Sequence, residues 1–74
     1  KDDKFLSNMF DIFNKENFIE NRLKILCLIF CYIEEEQLKS FILEKQVNLT
    51  HIELYELIKE ENYSYIIIWN NFAF

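Results

Sequence analysis

Seventy-four residues with no glycine and no proline, a formal net charge of -5 and a pI near 4.7 describe one small acidic domain. The 8 Lys and Arg are scattered along the chain and cannot make the dense basic surface that nucleic-acid phosphates demand, so the charge argues against nucleic acid and for a basic protein partner. At 51% hydrophobic and 18% aromatic the chain has no disordered segment, and it supplies the very apolar interior that so small a core needs.

Leu6, Met9, Phe10 and Phe13 keep the rhythm of an amphipathic helix, which predicts a first helix from about Asp3 to Phe13, ended by the loop-forming "NKEN". Asn17 and Glu20 stand at capping-box spacing and open a second helix, whose face carries Ile19, Leu23, Leu26, Cys27 and Phe30. Because Ile25, Leu28 and Ile29 add apolar groups on other faces, this helix is expected to be central and buried nearly all round. Glu34, Glu35 and Glu36 favour the positive end of a third helix, with Leu38, Phe41 and Ile42 on its buried face.

The stretch "VNLTHIELYELIKE" is the most sharply punctuated in the chain. Thr50 and Glu53 form a capping box, Leu49 and Leu54 stand at the positions of a hydrophobic staple, and Leu54, Leu57 and Ile58 follow helical spacing to about Glu60. The closing "ENYSYIIIWNNFAF" is open between strand and helix, since Ile66, Ile67 and Ile68 are β-branched while Trp69 and Phe72 stand three apart.

Cys27 and Cys31 lie four apart in the run "ILCLIFCYI", where free buried thiols are the expectation; with one histidine in the chain a zinc site lacks ligands. The run is far too short for a bilayer span and no signal-peptide pattern precedes it, which predicts a cytoplasmic protein. Lys, Asn, Ile, Phe and Tyr supply about half of the residues, the bias that A+T-rich codons produce. The apolar end "NNFAF" leads to the expectation of a domain cut from a longer chain.

From Ile33 onward the chain resembles a calmodulin-like lobe, the paired EF-hand unit. "NLTHIEL" is similar to the linker and capped third helix of such lobes, "IEEEQLKSFI" to the exit half of a first hand, and "IIWNNFAF" to that of a second. Ile33 and Ile67 would be the two residues of the short inter-loop β-bridge, 67 minus 33, or 34, positions apart. The first helix is either an addition to this unit or its true first helix in a shifted register, with "NKENFI" as the first vestigial loop. The calcium ligands are missing: "CYI" and "NYSYII" offer no alternate carboxylates and no glycine for the turn, and Gln37 and Asn71 stand where a bidentate glutamate belongs.

The resemblance therefore implies an all-α, calmodulin-like paired EF-hand lobe of four to five short helices, spanning residues 1–74, without bound calcium, metal or cofactor. It resembles the N-terminal lobe of an apicomplexan-type myosin essential light chain, which implies part of a longer two-lobed chain that is monomeric apart from its partner. Such a lobe grips a basic amphipathic helix of the IQ type in a myosin heavy-chain neck. Carried onto this sequence, the grip would use Phe41, Ile42, Leu54, Leu57, Ile58, Trp69 and Phe72, with Glu34, Glu35 and Glu53 in an acidic rim that continues through Glu36, Glu56, Glu60 and Glu61. For the aromatic positions plain core is the competing assignment, and for the carboxylates a solvated surface.

His51 has no hydroxyl or thiol beside it in sequence, and nothing in the chain pairs a nucleophile with a base, so an enzyme is not expected. The alternative to the light-chain lobe is a generic helical interaction module that pairs with a copy of itself.

Overall fold

The computed structural model describes residues 3–60 and 63–73, and the side chains of all of these but Tyr63, Phe72 and Ala73. The described residues form an all-α fold of five helices: α1 (Asp3–Lys15), α2 (Ile19–Tyr32), α3 (Glu35–Lys45), α4 (His51–Lys59) and α5 (Tyr63–Ala73). No strand occurs among them.

Each helix contributes a narrow apolar stripe to one core. Leu6, Phe10 and Phe13 come from α1, Leu26, Ile29 and Phe30 from α2, Leu38, Phe41 and Ile42 from α3, Leu57 from α4, and Ile66 and Trp69 from α5. Two connectors add Ile33, Val47 and Leu49. Helix α3 packs most extensively on α5, α1 lies against both α2 and α3, and α4 rests on α5. The helices thus follow the packing order α2, α1, α3, α5, α4, and Tyr65 of α5 also ties back to the C-terminal end of α2. The Tyr65 hydroxyl donates to the Ile33 carbonyl at 3.0 Å, and its ring stacks on Phe30 at 4.7 Å between centroids.

The capping box of α4 forms as the sequence predicts. The Glu53 amide donates to Thr50 Oγ1 at 3.2 Å, and the Thr50 amide donates to Glu53 Oε1 at 2.9 Å, so donors left over at the helix start are satisfied. Leu49 is buried and Leu54 packs against the same core. Replacing Thr50 with Ala is expected to cost about 1 kcal/mol, read as a lower urea midpoint with an unchanged slope. A shift within error of zero would mean that tertiary packing alone sets where α4 begins.

The second helix starts differently from its prediction. Its N-cap is Phe18, not Asn17, and no side chain caps it; the Phe18 amide instead donates to Glu16 Oε2 at 3.0 Å. The third helix starts at Glu34, where the backbone amide donates to Gln37 Oε1 at 3.0 Å. Gln37, matched by resemblance to a lost calcium position, thus works as a capping residue, and its amide nitrogen also reaches Asp3 Oδ1 at 2.7 Å. At its other end α3 closes on Gln46 in the left-handed conformation (φ 52°), and the Val47 amide donates to the Ile42 carbonyl at 3.4 Å. A glycine normally takes such a position; this chain has none and places a polar, unbranched residue there.

Two further expectations are corrected. Helix α2 is not buried all round: Cys27, Leu28, Cys31 and Tyr32 are exposed, because α1 and the core cover only the stripe through Leu26, Ile29 and Phe30. The β-bridge between Ile33 and Ile67 does not form. Ile33 is extended at the end of α2, but Ile67 sits within α5 and is 60% exposed, because Ile66 and Trp69 take the buried face of that helix.

Candidate functional site

The sequence-predicted binding residues do not converge on one surface. Phe41, Ile42, Leu57 and Trp69 are core, Leu54 is partly buried, and Ile58, Glu34 and Glu35 are exposed. Phe72 lies outside the described side chains, as does Glu61 outside the described residues. Glu53 is the clearest correction: it is 0% exposed and cannot belong to a surface rim.

Its partner explains why. Arg22 Nε donates to Glu53 Oε2 at 2.6 Å, and the same guanidinium donates to the carbonyls of Phe13 at 2.8 Å, Glu16 at 3.1 Å and Asn48 at 3.1 Å. Its carbon lies 4.0 Å from the centroid of the Phe13 ring. One arginine therefore holds the C-terminal carbonyls of α1, the α3–α4 connector and the first turn of α4, and a cation at the end of α1 also complements that helix's dipole. Burial pushes the Glu53 carboxyl up, but the hydrogen bond from Arg22, the bond from the Thr50 amide and the charge of Arg22 outweigh it and hold the group below its ordinary value. This is a structural joint with every donor placed, not a reactive centre.

An apolar concavity lies on the outside of α2. Its floor is the stripe Glu20, Leu23, Lys24, Cys27, Leu28 and Cys31, three turns of one helix face, and its wall is Glu56 and Leu57 of α4 with Glu60 at that helix's C-cap. The groove is open along its length and has a volume of about 490 Å³. Arg22 of α2 pairs with Glu53 of α4 in the first turns of both helices. Leu28 is 48% exposed, an apolar residue that no other part of the described chain covers.

The groove's edge is acidic. Glu20 faces Lys24 at 3.6 Å and Glu56 faces Lys59 at 3.5 Å, both solvated pairs of the kind that contribute little, so their carboxylates stay open to other cations. Both thiols are free and exposed, against the expectation of buried ones. The Cys27 thiol is pushed up by partial burial, then by Glu60 and then by Cys31, which disfavours its thiolate. The sequence pattern held a usable signal: Glu20 and Lys24 share the helix face of Cys27 and Cys31, and a face that begins with charge is one that meets solvent.

The helix connectors are short. Among the described residues, 16–18, 33–34 and 46–50 join successive helices, none with room for a twelve-residue calcium loop. Among the described residues no group of three His, Cys, Asp or Glu side chains is placed to hold a metal ion, and no helix is long and apolar enough to cross a membrane. Fold and groove together define a small all-α bundle with an apolar, acid-edged helix face on its surface. No protein-family model, no curated protein and no solved structure matches the chain.

Proposed function

We propose that this chain is a non-enzymatic binding lobe of the myosin light-chain kind, which holds and stiffens a basic amphipathic helix in the cytoplasm without calcium. The supporting observation is the groove: a three-turn apolar stripe of α2 lies uncovered beside the carboxylates of Glu20, Glu56 and Glu60. Helix-in-groove recognition uses this combination of apolar floor and charged edge. The EF-hand character of the lobe and the IQ type of its partner rest on the resemblance of "NLTHIEL" and its neighbours, and belong to the same proposal. A lone neck helix bends easily, and a bundle clamped along it would carry force that the helix cannot carry by itself.

Calorimetric titration of the chain with an IQ-type helical peptide tests this. One peptide is expected to bind per chain, more weakly as salt rises because the carboxylate edge is solvent-screened, and equally well with calcium or a chelator. Absence of any salt-sensitive binding would reject the light-chain function. Self-association is the second reading, favoured by Ile52 and Tyr55, which are exposed on another face of α4. Sedimentation of the chain without peptide distinguishes the two, since a stable dimer across that face would leave the groove empty.

A further inference from the structure

We infer that the occupant of the groove is a helix lying along α2, with its apolar stripe on Leu23, Cys27, Leu28 and Cys31 and two cations one turn apart facing Glu56 and Glu60. This rests on the helix-binding function above and specifies which surface binds and what it selects.

The length of the floor points to a helix. From Glu20 to Cys31 is 31 minus 20, eleven steps, or about 16 Å at the helical rise, three turns of a facing helix. The floor and wall are side chains of two helices, with no sheet edge to which an extended peptide could add. Cysteines at two of the floor positions are small, and the Cys27 thiolate is disfavoured, so an apolar ridge can approach closely.

Charge decides the rest. Glu56 in the last turn of α4 and Glu60 at its C-cap are four residues apart, about 6 Å along the wall at the helical rise, the spacing at which Lys or Arg at i and i+4 of a partner would meet both. Lys24, the cation that lines the groove, is already beside Glu20 on the α2 side. A second copy of this chain is a poor occupant, because it brings the same carboxylates and a further net charge of -5 to the same edge.

The probe is a synthetic alanine-based helical peptide with an apolar stripe and two Arg one turn apart; its control carries Glu in place of Arg. The full chain is labelled with a maleimide, and rates at Cys27 and Cys31 are followed by mass spectrometry with and without peptide. With the basic peptide free at ten times its dissociation constant, both thiols are expected to label about tenfold more slowly, as the free fraction requires. The acidic peptide should not protect them. In the double variant E56K/E60K the preference should reverse, the acidic peptide binding at least about tenfold more tightly than the basic one. Binding of the basic peptide with unchanged labelling of both thiols would overturn the placement in this groove while leaving the helix-binding function standing. Equal protection by the two peptides would overturn the cation pair, and no binding of either would remove the function on which the inference rests.

Discussion

Arg22→Met is expected to destabilise the fold by about 3–5 kcal/mol, enough to unfold most of a domain this small at room temperature. Methionine keeps much of the arginine's volume but strands a carboxylate that is 0% exposed, and it releases the carbonyls of Phe13, Glu16 and Asn48. Denaturant unfolding followed by circular dichroism measures the loss. The double variant R22M/E53Q should recover much of it, because a glutamine can still accept from the Thr50 amide and leaves no buried charge. If Arg22→Met costs less than about 1 kcal/mol, the pair is solvated in solution and its assignment as the joint of the fold is wrong.

The same pair sets an acid limit. The folded Glu53 carboxyl lies below its ordinary value, so between the folded and unfolded values the unfolded chain binds more protons than the native one. The stabilisation is therefore complete above the unfolded glutamate value of about 4.3 and is lost as pH falls through the lower, folded one. Thermal midpoints recorded against pH should show this acid limb in the parent chain and lose much of it in E53Q.

Phe10→Ala is expected to cost about 3–5 kcal/mol through the lost burial and the cavity left behind. Phe10 is fully buried and its ring centroid lies 5.3 Å from that of Phe41, so its removal opens the contact between α1 and α3. Other ties hold the same seam: Asn14 Nδ2 donates to the Lys45 carbonyl at 3.1 Å, and Lys45 pairs with Asp11 at 3.1 Å. The result bears on what α1 is. Were it an appendage to a complete lobe, the variant would lose α1 locally and keep a cooperative transition for the remaining helices; an integral α1 predicts one transition at a much lower midpoint.

What could be read from the chain without coordinates was local. Thr50 and Glu53 act within one turn, and the buried positions Leu6, Phe10 and Phe13 repeat within one helix, so spacing alone reveals both. Glu53 looked like surface because its partner is 53 minus 22, or 31, residues away, and no periodicity links an arginine in α2 to a cap in α4. The three isoleucines of α5 left strand and helix equally open; the helix is chosen because it turns Ile66 and Trp69 together onto the core, and β-propensity yields to that packing. The groove was hidden for a related reason. An apolar helix suggests burial on every side, but four short neighbours enclose only part of it, and which part depends on where they pack.

The one tryptophan of the chain gives the bundle a built-in optical gauge. Trp69 is sealed inside, edge-on to Phe30 at 6.4 Å, with an indole N–H that has no hydrogen-bond partner, while the outer face of α2 points elsewhere. Its emission should be blind to a visitor that settles on the exterior and should redden only when α5 swings away and admits water. A lobe that must gape to grasp its target and one that receives it on an outer flank would thus differ in colour before any atomic picture of the pair exists.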